Sequence, residues 1–285
     1  MKVKGPATIL NGLGRGILTI PDAQLIFGDP LRRDRRPIAE MSPDELERLE
    51  ARIDAEQAAH VFILFADSVL SDACLALYRF ERVESEVQAV GNVDHLSRHE
   101  RLLRRFDRDL ALEQLRRLYS EAFIVASDMV AKIFERLIRA TKAFPVFCCA
   151  IREEFNYLND ALPARPHLRD SIAHKDERSL GEARGKPIQP QMMDTSDYLG
   201  EQIHTGTLEG AVYRNTSSEG VQGELAITGT TFETVRKCVQ RAVDALPWFR
   251  SRFISDPGNS MDPVRWQPGD GGRRNQNPFA YWIPK

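Results

Sequence analysis

Ser42-Pro43-Asp44-Glu45 constrains this chain more than any other short stretch, because it meets three separate requirements of a helix start at once. Serine suits the N-cap, where its hydroxyl accepts from an otherwise orphaned amide. Proline suits the first helical position, whose missing N–H costs nothing there, and glutamate three residues after the cap can reach back to it. The sequence beyond keeps a helical period. Leu46, Leu49, Ile53, Ala59 and then Val61 to Leu77 hold one apolar face through roughly nine turns, with a candidate bend near Ala66.

A polar interval around Gly91-Asn92 precedes a second helical block, Asp94 to Thr141, with a candidate break near Ser120. There Leu103, Phe106, Leu110, Leu115 and Leu118 form an apolar stripe, and six arginines between Arg101 and Arg117 are interspersed with Glu100, Asp107, Asp109 and Glu113. Opposite charges three and four residues apart read as a solvated, salt-bridged face, and Lys132 and Arg136 continue it. Pro145 restarts a helix that reaches about Leu162, where Pro163 and Pro166 end it; a further short helix follows at Arg169. The last helix starts with a second capping box, Thr230-Thr-Phe-Glu233, and runs to Pro247. The expected fold class is mainly α.

The remainder is shorter and less regular. Ala7–Leu10 and Gly16–Ile20 are expected to pair across Asn11–Arg15, forming an extended N-terminal arm over 1–41. Gly12-Leu-Gly-Arg-Gly16 has no trailing helix and no GK[ST], so it reads as that hairpin's turn and not as a phosphate loop. Residues 179–206 show little periodicity, whereas Gly210–Arg214 and Val221–Ile227 flank Asn215–Gly220 as a small β-hairpin inserted in the helical domain, 42–250. Residues 251–285, with five of the 16 prolines around Trp266 and Trp282, are expected to be an irregular tail.

Composition narrows the function classes. Hydrophobic content of 42% and charged content of 28% are those of an ordinary globular protein. The longest apolar run, Val61–Ala66, is too short to span a bilayer, and no apolar segment follows Lys2 and Lys4. The expectation is a cytoplasmic protein with no membrane partner. A net charge of -2 disfavours nucleic-acid binding by bulk charge, so any RNA contact has to be local. Cys74, Cys148, Cys149 and Cys238 lie in apolar helical contexts with no CxxC and no histidine at ligand spacing, which predicts core residues and neither a disulfide, a metal site nor a cofactor.

Against that background Arg169-Asp-Ser-Ile-Ala-His174-Lys-Asp-Glu-Arg178 stands out. A guanidinium can hold a phosphate through two parallel hydrogen bonds, and an imidazole exchanges protons near neutral pH; together they cover the needs of metal-free phosphodiester cleavage. In a helix Arg169 and His174 border one groove, whereas Asp170 and His174 stack at i,i+4, giving the imidazole an acidic neighbour that orients it. Leu168, Ile172 and Ala173 would face the core. With 31 arginines and 6 histidines, about 0.65 matches to this spacing arise by chance, so context has to carry the reading.

Leu168-Arg-Asp-Ser-Ile-Ala-His-Lys-Asp-Glu-Arg178, after a proline-ended helix and ahead of a loop, a hairpin and a final helix, resembles the Arg-x4-6-His signature of the HEPN superfamily, the higher eukaryote and prokaryote nucleotide-binding domains. Asp170 fits the family's preference for Asn, Asp or His after the arginine. The resemblance, carried by about ten residues and extending over 42–250, implies an up-and-down helical bundle of four or five helices. It also implies a homodimer that brings two motifs together, and metal-independent endoribonuclease activity in bacterial toxin, antiviral or abortive-infection systems. RNA, tRNA among the candidates, would be the substrate, and an antitoxin or regulatory protein a possible partner. By this analogy Arg169 binds the scissile phosphate, His174 assists proton transfer as the 2'-hydroxyl attacks, and Asp170 orients the pair, while Arg165, His167, Lys175 and Arg178 widen the RNA-binding surface.

Plainer readings compete. Arg169 could pair with Asp176 or Glu177 while His174 ends a helix, and Arg165, His167 and Arg178 could simply be solvated. Asp170, Asp176 and Glu177 make a poor metal site, because only Asp170 and His174 stack. A non-catalytic helical dimer that binds RNA, nucleotide or a protein partner is the rival function.

Overall fold

The structure is a computed structural model that describes residues 17–21, 24–27, 38–90, 98–174, 182–183, 186–187, 191–195, 198–202, 205–216, 222–250, 264–265 and 272–274. Of the interpretable residues 75% are helical, in five α-helices with a small three-stranded antiparallel sheet beside them. The arm's first hairpin strand, its turn and most of the tail lie outside the described residues.

Helix α1 (Pro43–Val90) runs 48 residues without interruption. Its start is the expected capping box: the Ser42 amide donates to Glu45 Oε2 at 2.9 Å and the Glu45 amide donates to Ser42 Oγ at 3.4 Å. Ala66, the candidate bend, lies within the unbroken helix and is fully buried. By length and composition α1 could cross a membrane, with an 18-residue window of mean hydropathy 1.8, and half of that window is buried inside the fold. Helix α2 (Arg98–Ala140) is likewise unbroken; Ser120, the candidate break, is buried and its hydroxyl donates to the Arg117 carbonyl at 2.8 Å.

Of the apolar stripe of α2, the side chains of Leu103 and Phe106 lie outside the described residues, and the rest is a correction. Leu110, Leu115 and Leu118 are exposed, and the helix buries Leu112, Phe123, Ile124, Val130, Phe134 and Leu137 instead. Of the arginines in that pattern the structure describes the side chains of Arg116 and Arg117: Arg116 pairs with Glu113 at i,i+3 and also donates from Nε to Glu84 Oε1 of α1 at 2.6 Å, and Arg117 Nε donates to Glu121 Oε1 at i,i+4 and 2.9 Å.

Two compact units emerge from the chain. One draws on Thr8–Ser71, Met129–Ala161 and Thr234–Lys285. Its core is aromatic: Phe62 meets Phe134 with ring centroids 5.1 Å apart, and Phe134 stacks on Phe155 of α3 (Pro145–Ala161) at 6.0 Å. The N-terminal arm is part of this core. Leu18 and Phe27 are fully buried, and Phe27 packs on Phe144 and Phe147 at 5.1 and 5.7 Å. The expected hairpin partner, Ala7–Leu10, lies outside the described residues; the described part of the arm pairs with residues 248–274. Strand β1 (Thr19–Pro21) is antiparallel to β12 (Gly272–Arg274), and β2 (Gln24–Leu25) pairs with β10 (Trp248–Arg250), which also pairs with β11 (Val264–Arg265). The tail thus contributes strands. Asp67 of α1 fixes the arm from below: its Oδ1 accepts from the amides of Ile17 and Leu18 at 2.8 and 2.9 Å.

The other unit draws on Asp72–Asp128 and Leu162–Glu233. Its three-stranded sheet has the order β7 (Thr205–Glu209), β8 (Val212–Thr216), β9 (Gln222–Ala226). The β8–β9 hairpin is the expected one; β7 was not legible. Gly206 on β7 has φ +76°, and a Cβ there would lie 2.6 Å from the Tyr213 hydroxyl. Short pairs β3–β4 (Glu182–Ala183, Lys186–Pro187) and β5–β6 (Gln191–Thr195, Tyr198–Gln202) fill the stretch read as aperiodic. Helix α4 (Arg165–Ala173) lies against β9, where Gly223 makes room: a Cβ there would meet Leu168 at 3.3 Å. Helix α5 (Gly229–Asp244) is capped two residues earlier than its sequence suggests, the Thr231 amide donating to Thr228 Oγ1 at 3.3 Å. The Thr231 hydroxyl turns away to donate to the Ala226 carbonyl at 2.7 Å, which ties the helix start to the end of β9.

Candidate functional site on helix α4

Helix α4 owes its position to its apolar residues and its chemistry to its polar ones. Pro166 stands in its first turn, Leu168 is fully buried, and the Leu168 amide donates to the Ala164 carbonyl at 3.0 Å. Ser171 is buried where Ala173 was expected; Ala173 is exposed and Ile172 half-buried. The expected inward face is therefore rotated by part of a turn.

Both arginines of α4 approach one carboxylate, Asp128 of α2. Arg165 Nε lies 3.5 Å from Asp128 Oδ1 and Arg169 Nε 3.8 Å from Oδ2. The Arg165 side chain is only 2% exposed and that of Asp128 8%, whereas Arg169 is 39% exposed. Arg165 is therefore neither solvated nor on an RNA-binding surface, because a buried guanidinium needs a buried counter-charge and Asp128 supplies it. Asp128 thus faces one guanidinium held inside the fold, Arg165, and a second, Arg169, that reaches solvent. At 3.8 Å the Arg169–Asp128 contact is an ion pair beyond hydrogen-bond length, so the planar fork of Arg169 keeps donors for an anion.

His174 is the C-cap residue of α4, with φ -113° and ψ 40°, and its amide donates to the Asp170 carbonyl at 3.1 Å. Its imidazole Nε2 lies 3.9 Å from Asp170 Oδ1, the i,i+4 neighbour that the spacing predicts, and both side chains are partly exposed, at 43% and 29%. Arg169, Asp170 and His174 thus share the accessible part of one short helix. His167 is exposed on the same helix. Lys175 and Arg178 lie outside the described residues, as do Asp176 and Glu177. Among the described residues no group of three His, Cys, Asp or Glu side chains could hold a metal ion. Cys74, Cys148 and Cys238 are buried, with Cys74 pushed up to about 12 and Cys238 to about 11 chiefly by burial, as expected of core thiols; Cys149 is exposed.

Asp128 is the site residue that sequence reasoning missed. Its signal was present: a carboxylate inside Phe123-Ile-Val-Ala-Ser-Asp-Met-Val130 has to find a cation or several donors once that run is buried. Comparison with protein-family models, curated proteins and solved structures found no match to this chain. The HEPN resemblance accordingly rests on the α4 residues themselves.

Proposed function

We propose that the protein is a metal-independent endoribonuclease of the HEPN type, acting at Arg169 and His174 of α4 in a bacterial toxin or defence setting. The observation that carries this reading is the half-exposed Arg169 guanidinium, backed by Asp128, on the same nine-residue helix whose end presents His174 beside Asp170. Arg169 would bind the scissile phosphate and offset the charge that builds on it. His174 would take or return the proton as the ribose 2'-hydroxyl attacks phosphorus, with Asp170 holding the ring. The 2'-hydroxyl requirement would spare DNA. One chain offers a single arginine and a single histidine, fewer groups than an acid, a base and a phosphate clamp demand, so the active species would be a homodimer with two motifs.

A second reading has its own support. The tie of Arg169 to Asp128 and the helix-ending place of His174 are also what a non-catalytic RNA-binding module of the same build would use. The test is incubation of purified protein with total tRNA and with a single-stranded RNA in EDTA, alongside the Arg169→Ala/His174→Ala double variant. Fragments with 2',3'-cyclic phosphate ends from the wild type alone support the ribonuclease. RNA binding without fragments selects the module, and absence of both cleavage and binding removes α4 as an RNA site.

A further inference from the structure

Residues 51–61 of α1 and 136–143 at the end of α2 enclose an open groove of about 680 Å³. Its walls differ in chemistry. Arg136, Arg139 and Lys142 stand on the α2 side; Asp54 and Gln57 stand on the α1 side; alanines of both segments and Val61 form an apolar floor. Three cations face one carboxylate, an excess of two positive charges. None of the three cations is ion-paired among the described residues, and the contact seen for Arg139 is its Nε donating to the Glu135 carbonyl at 3.3 Å. This departs from the α2 charge pattern further upstream, where Arg116 and Arg117 are held by glutamates.

Cations at a helix C-terminus need no ligand to account for them, since they offset the helix dipole; that covers Arg139 and Lys142. Arg136 lies a turn further in and lines the same groove, which the dipole does not explain. Arg136 and Arg139 are i,i+3 neighbours with Cβ atoms about 5–6 Å apart, wider than one phosphate group and suited to adjacent phosphates. Arginine forks grip phosphate oxygens in pairs, and Lys142 adds a compact point charge. The alanine floor leaves space for an uncharged body, and Asp54 and Gln57 can meet its hydroxyl or amino groups. The volume falls in the ordinary range for small-ligand sites, about 300–1,000 Å³.

From this geometry we infer a small-molecule site in the groove, separate from the α4 residues, that takes a ligand carrying at least a diphosphate. The phosphates lie along Arg136, Arg139 and Lys142, and the remainder of the ligand lies on the alanine and Val61 floor. Binding is electrostatic at an open surface and weakens as salt is raised.

The test is calorimetric titration of the full chain at low salt with pyrophosphate, ADP, adenosine and a short single-stranded RNA. The Arg136→Ala/Arg139→Ala and Arg169→Ala variants are titrated in parallel and checked for fold by circular dichroism. The expected result is saturable binding of pyrophosphate and ADP, none of adenosine, at least tenfold weaker binding in the double variant, and unchanged binding in Arg169→Ala. Tighter binding of ADP than of pyrophosphate identifies a nucleotide; equal binding identifies a free oligophosphate. Absence of diphosphate binding to the wild type, an unaffected double variant, loss of binding in Arg169→Ala, or binding of RNA alone would each overturn the site. None of these readouts depends on RNA cleavage.

Discussion

Asp67 and Asp128 are both carboxylates sunk into the apolar faces of long helices, and the protein compensates them in opposite ways. Asp67 is satisfied by the backbone amides of Ile17 and Leu18, groups that have no charge of their own to spare. Asp128 is answered by two charged groups, Arg165 and Arg169. The first arrangement fastens a segment of chain and presents nothing to solvent. The second fastens one arginine inside and leaves the other half outside, pointed where a ligand could reach it. A buried carboxylate is thus a structural clamp or a lever on function according to what answers it, and the difference is visible only in the partners.

The sharpest way to break the comparison is Asp128→Ala. It leaves the 2%-exposed Arg165 without its counter-charge, which should lower stability by about 3–5 kcal/mol in urea unfolding; a loss under about 1 kcal/mol would mean that Arg165 finds another partner. Next is Asp67→Ala, which orphans the two amides that its Oδ1 accepts. A loss of about 1–3 kcal/mol is expected, with faster hydrogen exchange at the Ile17 and Leu18 amides than anywhere in α1.

A pH series sharpens it further. Burial raises the Asp67 carboxyl above its ordinary value of 3.8, against the smaller lowering effect of the Leu18 and Ile17 amides. A raised folded pKa means that the group favours the fold when protonated and that this contribution is lost as pH rises through the folded pKa. Relative to Asp67→Asn, which cannot ionise, the wild type should therefore be best placed below 3.8 and lose ground toward neutrality; a constant difference in urea midpoint across the series would refute the assignment. The smallest effect belongs to Arg169→Ala. A side chain 39% exposed in an ion pair should change stability by about 0–1 kcal/mol, while RNA cleavage or binding falls sharply if the proposed function holds.

How much of this could be read beforehand depended on the distance between partners. Ser42 and Glu45, or Asp170 and His174, are three and four residues apart, so helical geometry alone brings them together, and both pairs are found as the spacing predicts. Asp128 and Arg165 are 37 residues apart and their pairing needs the fold; the Arg165 position was accordingly misjudged as surface. The leucines of α2 show the limit of periodicity, since a stripe identifies a face without saying what covers it, and Leu115 and Leu118 prove exposed. The cap of α5 was displaced because Thr228, Thr230 and Thr231 offer several hydroxyls, and the end of β9 decides which are used.

The strands that join residues 19–25 to residues 248–274 set a schedule for the chain as it is made. The Thr19 amide donates to Gln240, 221 residues later, and at roughly 5–20 residues per second on the ribosome that partner emerges some ten to forty seconds afterwards. Until then β1 and β2, which flank the fully buried Leu18 and Phe27, lack their strand partners, and Thr19 lacks its tie to α5. Completion of that core therefore waits until residues 240–274 have been made, long after the arm itself.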